Sequence, residues 1–327
     1  MGRMVDGEWR TEAEQIEHDE GGEFERETTS FRDWVGDEYP AESGRYHLYV
    51  SYACPWAHRT LLVRALKGLE DAVSVSVVDP VRFDQGWEFA PDKPGSTPDH
   101  VHGSEYLREV YAHADPAYTG RVTVPVLYDT AEDTIVNNES EEIMRMLDVA
   151  FHDLADRDVD LYPEGYRDEV DRVVEDIYDP INNGVYRAGF AETQRAYDNA
   201  VNDLFDALAH YDDVLGDQRY LAGDVLTEAD VAMFTTLYRF DEVYHTHFKC
   251  NRERIADYDN LWPYLRELCQ LPGVADTLEM DHVKQHYYRS HGHLNPKRLV
   301  PTGPNPDFFA AHERDDLPGG PPADLQR

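Results

Sequence analysis

The chain has 327 residues, enough for two domains with a sizeable core, and 66 acidic residues against 30 basic ones give it a formal net charge of −36. A charge of this sign repels nucleic acid and anionic membranes, so the composition excludes both as expected partners. The acidic residues are spread over every segment instead of forming a tail, and salt screens their mutual repulsion. We interpret the composition as an adaptation to a high-salt cytoplasm.

Cysteine usage and the lack of long apolar runs agree with this location. The three cysteines, at positions 54, 250 and 269, are too few for a disulfide framework. A membrane-spanning helix needs about 20 apolar residues, and no such run occurs. Residues 1–27 are charged where a signal peptide would be apolar. We therefore expect a cytoplasmic protein without a membrane anchor.

Residues 1–40 are polar and predict an irregular arm. Four aromatic residues predict that part of this arm packs on the body of the protein; they are Trp9, Phe24, Phe31 and Trp34. The residues that follow predict a strand at 46–50, a helix at 55–69 and a strand at 72–78. This order is typical of two parallel strands joined by a helix.

Residues 79–120 are rich in Asp, Pro and Gly and form a long connection, whose length indicates a function of its own. Pro125 lies in the next strand, and because proline cannot donate to a ladder, it belongs at a strand start or in a special turn. The elements predicted here are a short helix at 104–112, a strand at 122–128, a hairpin partner at 135–136 and a helix at 139–147. The sum, β-α-β-α-β-β-α, is the thioredoxin-like order as used by glutathione transferases.

From about residue 160 onward the patterns are helical, and Thr227 with Asp230 forms a capping pattern before an apolar run. Helices are predicted at 163–177, 191–215, 227–244, 261–269 and 280–288. From position 296 onward the chain is rich in proline, which predicts an extended tail. We predict an α/β plus all-α protein with four parts: an arm at 1–40, a thioredoxin-like thiol-binding domain at 41–155, an all-helical domain at 156–295 and a tail at 296–327.

Cys54 lies between the predicted strand and the first predicted helix. At a helix N-terminus the unpaired amides and the helix dipole favour the thiolate, and such cysteines titrate between about 3.5 and 7.5. Cys-Pro-Trp-Ala is similar to the Cys-x-x-Cys motif of thioredoxin-like proteins, with Ala57 in place of the second cysteine. An internal disulfide is therefore impossible here, and another molecule must resolve the thiol. Cys250 and Cys269 are interpreted as buried and unreactive.

Five separate sequence words point to one family. They are YACPWAHR at 52–59, VNNES at 136–140, NNGVYRAGF at 182–190, DEVYHTHFKCN at 241–251 and HYYRSH at 286–291. Through these words the chain resembles the glutathionyl-hydroquinone reductases, the Xi-class glutathione transferases, over residues 30–305. Together with the acidic composition, the resemblance indicates a haloarchaeal member.

The resemblance implies an oxidoreductase with thiol transferase chemistry, which removes a thiol from an aromatic ring. Cys54 would attack the sulfur of a glutathionyl-hydroquinone, release the hydroquinone and form a mixed disulfide that a second thiol resolves. Tyr186 and Tyr287 would bind the hydroquinone as hydroxyl donors, with Tyr244 as a third. Tyr288 is the alternative to Tyr287 for this role.

The resemblance also implies a site for a thiol co-substrate, which is glutathione or, in a halophile that lacks it, γ-glutamylcysteine. Val124 would bond the cysteinyl backbone, and Glu139 with Ser140 would hold the γ-glutamyl end. Trp87 is expected beside the thiol, or else as a core residue that anchors its loop. Arg121 is expected to bind a carboxylate of this thiol. Because the family forms homodimers, a homodimer is expected.

Two other functions stay open. An omega-like thiol transferase or dehydroascorbate reductase would need Cys54 but not the tyrosines, and a non-catalytic aromatic-ligand binder would need no reactive thiol. Histidine pairs at 245/247, 282/286 and 291/293 have the atom types of a zinc site, but no metal is expected, and His286 and His291 are interpreted as orienting the tail. No nucleotide-binding fingerprint occurs, so the expected ligands are a small-molecule aromatic thiol conjugate and the thiol.

Overall fold

The computed structural model describes residues 2–11, 16–36 and 38–326, which divide into two compact units. Unit 1 comprises Met1–Glu17, Glu27–Asp156 and Thr277–Val300, and unit 2 comprises His18–Arg26, Arg157–Asp276 and Pro301–Arg327. Each unit is made from separate stretches of the chain. The domain boundaries expected from the sequence stay a prediction.

Strands occur in the first 137 residues, and helices dominate the rest of the described chain. The strands are β1 Arg3–Val5, β2 Glu8–Arg10, β3 Glu17–His18, β4 Phe24–Glu25, β5 Tyr46–Val50, β6 Val73–Val77, β7 Val126–Asp129 and β8 Thr134–Asn137. The α-helices are α1 Pro55–Lys67, α2 Leu107–Ala114, α3 Ser140–Val149, α4 Arg167–Ile177, α5 Gly184–Gly189, α6 Gln194–Asp217, α7 Glu228–Arg239, α8 His245–His247, α9 Leu261–Cys269 and α10 Met280–Ser290. None of the described helices is both long enough and apolar enough to cross a membrane.

Unit 1 is built on a four-stranded sheet with the order β6-β5-β7-β8. β5 and β6 are parallel, as the strand-helix-strand pattern predicts, and β7 pairs antiparallel with both β5 and β8. All five residues of β5 are buried, which suits the aromatic and branched side chains of a central strand. The predicted start of β7 at residue 122 is wrong by four residues. Since Pro125 has no amide hydrogen, the ladder begins at Val126.

Helix α1 follows Cys54 directly and begins with Pro55, at a position where a missing amide hydrogen costs no helical hydrogen bond. It ends two residues earlier than predicted because Gly68 adopts a left-handed conformation with φ of 68°. A buried ion pair joins α1 to α3, with Nζ of Lys67 2.8 Å from Oδ1 of Asp148. Because the two charges neutralise each other, both can stay out of water.

The first part of the N-terminal arm is ordered, and the prediction that it is irregular is wrong. β1 pairs antiparallel with β2, and β3 pairs with β4. The turn between β1 and β2 contains Asp6 and Gly7, both with positive φ, and this Asp-Gly pair is a hairpin signal. The backbone of Met4 exchanges hydrogen bonds of 3.0 and 3.1 Å with the backbone of Gly120. This part of the arm therefore packs on the body of unit 1, as its aromatic content predicts.

Between residues 157 and 276 the described chain of unit 2 is helical, as predicted. The capping pattern at the start of α7 is confirmed, since Asp230 accepts hydrogen bonds from the amide and the hydroxyl of Thr227. Helix α5 is not predicted from the sequence. Along the chain it follows a π-helical stretch, Tyr178–Asn182, and a second such stretch, Phe240–Tyr244, follows α7. A β-carbon at Gly189 would lie 2.2 Å from the ring of Phe248, so a glycine allows this close packing.

The C-terminal residues of unit 2 have little regular structure but are anchored by one arginine. Arg314 is buried, and its Nε donates to Oε2 of Glu267 at 3.0 Å. The other carboxylate oxygen of Glu267 accepts from Nε of Arg219 at 2.7 Å. A buried carboxylate held by two guanidinium groups fixes this part of the tail.

Candidate active site

Cys54 occupies the turn between β5 and α1. Its backbone is extended, with φ of −79° and ψ of 122°, and its carbonyl accepts the first helical hydrogen bond, from the amide of His58 at 2.9 Å. The thiol is partly exposed and does not cap the helix, so the first-turn amides of α1 remain available to a negative charge. The sulfur lies 3.6 Å from the carbonyl oxygen of Val124.

No second thiol lies in this turn, because Ala57 is fully buried at the position of the second cysteine of a Cys-x-x-Cys motif. The two other cysteines belong to unit 2 and are buried, as predicted. Burial raises the pKa of the Cys250 thiol and of the Cys269 thiol well above the usual range. Cys54 is thus the cysteine whose exposure allows it to react.

Val124 presents a strand-like backbone beside this sulfur. The peptide bond between Val124 and Pro125 is cis, and β7 begins only at the next residue. Within the described chain the amide of Val124 has no hydrogen-bond partner, and its carbonyl contacts only the sulfur of Cys54. The backbone groups of Val124 can therefore pair with an extended peptide ligand.

The acid and serine predicted to bind the γ-glutamyl end lie at the N-terminus of α3. Glu139 is the residue before the helix, and its carboxylate accepts hydrogen bonds from the hydroxyls of Thr29 at 3.2 Å and Ser140 at 3.4 Å. Ser140 is buried, at 2% exposure. The helix N-terminus suits a carboxylate, and the partly exposed Glu139 suits an ammonium group.

Trp87 lies in the long connection after β6 and is 4% exposed. Its ring stacks on His286 with centroids 5.1 Å apart and an interplanar angle of 17°, and the guanidinium carbon of Arg82 lies 5.0 Å from its centroid. The indole Nε1 is buried and has no hydrogen-bond partner among the described residues. A buried donor without an acceptor is costly, so this atom fits a site where a ligand supplies the acceptor.

Arg121 lies three residues after Tyr118 in the same connection, and is partly exposed. Its carbonyl accepts a hydrogen bond from the hydroxyl of Tyr118 at 2.8 Å, and its positive charge acts on the phenols of Tyr118 and Tyr111. The structure thus gives Arg121 aromatic neighbours. Its proposed contact with a carboxylate stays a prediction.

Helix α10 belongs to unit 1 and holds the connection that carries Trp87. His286 Nδ1 is 2.8 Å from the carbonyl of Pro80, and His282 Nε2 is 2.7 Å from the carbonyl of Pro94. His286 thus positions a loop, and its expected role in orienting the tail stays a prediction. No three His, Cys, Asp or Glu side chains are grouped for metal binding in the described part of the chain. Sequence reasoning missed this loop-binding role because the contacts join positions about 190 to 210 residues apart.

Tyr287 follows on the same helix and is 1% exposed. Its ring meets His286 and His291 edge to face, with centroids 5.1 and 5.5 Å away. Tyr288 is also buried, at 4% exposure. Burial therefore does not separate the predicted tyrosine from its alternative, and the choice of Tyr287 stays a prediction.

In unit 2 the structure brings Tyr186 and Tyr244 together in an aromatic cluster with Phe190 and Phe248. The centroids of the two tyrosines are 6.0 Å apart, and Phe248 lies 5.5 Å from each of them. Tyr186 retains 9% exposure, while Tyr244 is fully buried. The cluster offers ring faces and edges with two phenols among them, which suits contact with another aromatic ring.

One residue of this cluster has no signal in the sequence. Arg26, in the N-terminal arm, places its guanidinium carbon 5.0 Å from the ring centroid of Tyr186. Its Nε donates to Oδ1 of Asn183 at 3.0 Å. Asn183 lies in one of the five sequence words. Nothing in the sequence distinguishes Arg26 from other arginines on a polar surface.

Comparison with known proteins gives the chain its relatives. The glutathione S-transferase N-terminal domain matches residues 53–150, and the glutathione S-transferase C-terminal domain matches residues 194–267. Glutathionyl-hydroquinone reductase YqjG from Escherichia coli strain K12 is 49% identical over 325 residues, which cover 96% of this chain and 99% of that protein.

Two solved structures are similar over nearly the whole chain. The Xi class glutathione transferase from Natrialba magadii has a TM-score of 0.93 and 63% identity, covering 98% of each chain. The glutathione-bound structure of Escherichia coli YqjG has a TM-score of 0.86 and 48% identity, covering 96% of this chain and 99% of that one. The predicted fold, a thioredoxin-like domain followed by a helical domain, is confirmed. The chain belongs to the glutathionyl-hydroquinone reductase family, the Xi class of glutathione transferases.

Proposed function

We propose that the chain is an oxidoreductase that reduces glutathionyl-hydroquinones to hydroquinones, with a second thiol molecule as the reductant. The observation that carries the proposal is the turn at Cys54, where a partly exposed thiol has Ala57 in place of a resolving cysteine. The 49% identity to a protein named a glutathionyl-hydroquinone reductase supports the substrate class.

The reaction has three steps. The ring carbon that bears sulfur takes up a proton from a neighbouring phenol, the ring hydroxyl returns its own proton to that phenol, and the ring becomes a neutral dienone. The Cys54 thiolate attacks the glutathionyl sulfur, so an S–S bond forms, the C–S bond breaks, and its electron pair restores the aromatic ring as a phenolate. A second thiolate attacks the mixed disulfide and releases Cys54. The phenolate takes up the proton that the second thiol lost, so the ring gains two electrons and the two small thiols leave as one disulfide.

Tyr186, Tyr287 and Tyr244 donate hydrogen bonds to the phenolate oxygen that forms as the C–S bond breaks. Preset donors at a developing oxyanion contribute about 3 to 4 kcal/mol each. Tyrosine suits this role because the hydroxyl donates while the ring lines an aromatic site. The common aromatic cluster of Tyr186 and Tyr244 supports a shared role for these two.

The thiol co-substrate is glutathione or γ-glutamylcysteine, which share the γ-glutamyl-cysteinyl unit. Val124 binds the cysteinyl backbone, Glu139 and Ser140 bind the γ-glutamyl end, and Trp87 and Arg121 lie beside the ligand. Among the described residues neither the backbone amide of Val124 nor the indole nitrogen of Trp87 has a hydrogen-bond partner, which supports these roles. The glutathione-bound state of the YqjG structure supports glutathione as one of the two thiols.

The chain acts as a homodimer in a high-salt cytoplasm, with functional domains at 41–155 and 156–295. The family resemblance supports the dimer. The net charge of −36 and the three free cysteines support the compartment.

Intact-protein mass spectrometry tests the proposal. The chain is incubated in molar KCl with a glutathionyl-hydroquinone and no free thiol. Cys54 is expected to gain one glutathionyl group for each hydroquinone released. Glutathione, or γ-glutamylcysteine in a parallel sample, then removes the adduct, and the faster thiol is the preferred co-substrate. The Cys54→Ser variant gives no adduct, whereas Cys269→Ala, which changes a buried thiol, reacts normally.

Two outcomes would contradict the proposal. If no adduct forms at Cys54, the chain is not a reductase of these conjugates, and aromatic-ligand binding becomes the better interpretation. If Cys54 reacts with glutathione disulfide but not with the hydroquinone conjugate, the chain is an omega-like thiol transferase.

A further inference from the structure

Part of the N-terminal arm is built into unit 2. The carbonyl of Gly22 accepts from the amide of Glu192 at 3.0 Å, and the carbonyl of Gly21 accepts from the hydroxyl of Thr193 at 2.9 Å. Phe24 meets Phe190 edge to face, with centroids 5.5 Å apart. These contacts are with the residues between α5 and α6, of which Phe190 belongs to the aromatic cluster. The arm is thus fixed beside the cluster at several points.

Arg26 follows this anchored stretch, and its guanidinium is oriented from two directions. The carbon of the guanidinium lies 5.0 Å from the ring centroid of Tyr186, a normal cation–π distance. The Nε atom donates to the amide oxygen of Asn183, which lies three residues before Tyr186 in the chain. Because a guanidinium is planar and always charged, this arrangement places a permanent positive charge on one face of the tyrosine ring.

A cation at this distance changes what the phenol can do. It favours negative charge on the phenol oxygen, so the hydroxyl becomes a stronger hydrogen-bond donor. The other neighbours of the ring in the cluster, Phe190, Tyr244 and Phe248, carry no charge as neutral side chains, so they do not screen the effect.

We propose that Arg26 is a positioning residue of the N-terminal arm that fixes the ring of Tyr186 and strengthens its hydroxyl as a donor to the departing hydroquinone. The inference rests on the proposed function, because it assumes that Tyr186 donates to the phenolate. Arg26 acts through Tyr186 and on the C–S cleavage step. The resolution of the mixed disulfide, which releases no phenolate, does not depend on it.

Two arginine variants and a matched control test the assignment. Arg26→Met removes the charge, and Arg26→Lys keeps the charge but loses the planar group that stacks and bonds Asn183. Arg252→Met is the control, since Arg252 also lies over a ring, that of Phe205 at 5.2 Å, and also bonds an asparagine, but is exposed and outside the cluster. The measurement is the single-turnover rate of hydroquinone release without free thiol, and separately the KM for the resolving thiol.

Arg26→Met is expected to slow hydroquinone release about tenfold, with the KM for the thiol unchanged. The release rate of Arg26→Lys falls between the rates of Arg26→Met and the wild type, and the release rate of Arg252→Met equals that of the wild type. The loss is larger for an unsubstituted hydroquinone conjugate than for a chlorinated one, because the more basic phenolate depends more on its donors. In a Tyr186→Phe background, Arg26→Met causes no further loss, since its effect passes through the hydroxyl.

Three outcomes separate this inference from the proposed function. If Tyr186→Phe slows release but Arg26→Met does not, the inference is wrong and the proposed function stands. If Arg26→Met slows release equally in the Tyr186→Phe background, Arg26 acts elsewhere and the inference is also wrong. If Tyr186→Phe has no effect while Cys54→Ser abolishes release, the assignment of Tyr186 fails first. Where Arg26→Met does not fold, a wild-type rate in Arg26→Lys overturns the inference.

Discussion

The proposed thiol site and the aromatic cluster use different parts of the polypeptide for recognition. In unit 1 the groups assigned to the thiol lie at the ends of elements, on Val124 before β7 and at the first residues of α3. In unit 2, Tyr186 and Tyr244 lie within helical segments, and packing against other rings fixes their positions. Backbone polar groups suit a peptide thiol, and packed rings suit an aromatic conjugate. Substitutions at the groups assigned to the thiol should therefore change thiol affinity, and those in the cluster should change the cleavage rate.

The largest expected effect that tests this distinction is that of Tyr186→Phe. Removing one donor to a developing oxyanion slows the reaction about 10²-fold, so hydroquinone release in a single turnover should fall by that factor. The KM for the resolving thiol should not change. Stopped-flow detection of the released hydroquinone measures the first quantity, and steady-state kinetics the second.

The control is Tyr197→Phe in the same unit. Tyr197 donates its hydroxyl to the carbonyl of Lys249 at 2.7 Å and is not part of the aromatic cluster, so its loss should leave both quantities near the wild-type values. A thiol KM that rises in Tyr186→Phe as much as the release rate falls would remove the distinction between the two regions.

A smaller effect is expected for Ser140→Ala. Loss of one hydrogen bond to a charged group weakens binding about tenfold, so the KM for the resolving thiol should rise by this factor. The rise should be equal for glutathione and γ-glutamylcysteine, because Ser140 is assigned to the end that both share. Hydroquinone release in a single turnover should not change.

Thr193→Ala is the matched control for this variant. The Thr193 hydroxyl accepts from the amide of Ala196 and caps α6, so its loss should lower stability without changing the KM for either thiol. A rise in KM for glutathione alone in Ser140→Ala would move this serine to the glycine end of the ligand.

One buried group in each unit should respond to acid in the direction opposite to the other. Burial lowers the pKa of His47, which is bonded to the hydroxyls of Ser74 and Ser76, to about 4. Its contribution to the free energy of unfolding is present above the unfolded pKa of about 6.5 and is lost as pH falls towards 4, by at most about 3 kcal/mol. Burial raises the pKa of Asp230 to about 6, so acid between pH 6 and 4 favours the folded state there.

Chemical unfolding between pH 7 and pH 4.5 at constant KCl concentration checks both signs. The His47→Gln variant should lose less stability over this range than the wild type. The Asp230→Asn variant, which removes the opposing group of unit 2, should lose more. If the free energy of unfolding changes equally with pH in the wild type and His47→Gln, His47 does not take up a proton on unfolding in this pH range.

Local sequence signals predict much of the fold, and the misses have physical causes. β5 and α9 have the predicted bounds because their apolar patterns end where polar or turn residues begin. The misplaced start of β7 follows from Pro125, whose effect on the ladder outweighs the β propensity of the residues before it. Helix α5 was missed because its six residues include two glycines, and packing against rings such as Phe248 stabilises it.

In the candidate site, too, some features follow from the sequence and others only from the tertiary structure. The exposure of Cys54 and the burial of the other two cysteines follow from helix and core patterns, and the structure agrees with both. The contacts of Arg26 with Tyr186 and of His286 with Pro80 join residues that are more than 150 positions apart. No periodicity or spacing encodes such pairs, so only the tertiary structure reveals them.

The buried ion pair between Lys67 and Asp148 bears on which thiols the protein accepts. Cys54 precedes the first turn of α1 and Lys67 is in its last turn, while Ser140 begins α3 and Asp148 is near its end. Sliding either helix along the other would separate two charges that have no water to replace their partner. The distance from the sulfur to the N-terminus of α3 is therefore set by the backbone. If Glu139 and Ser140 bind the γ-glutamyl end as proposed, a ligand must match this fixed span, which would select thiols by the length of their γ-glutamyl-cysteinyl unit and leave whatever follows the cysteine free to vary.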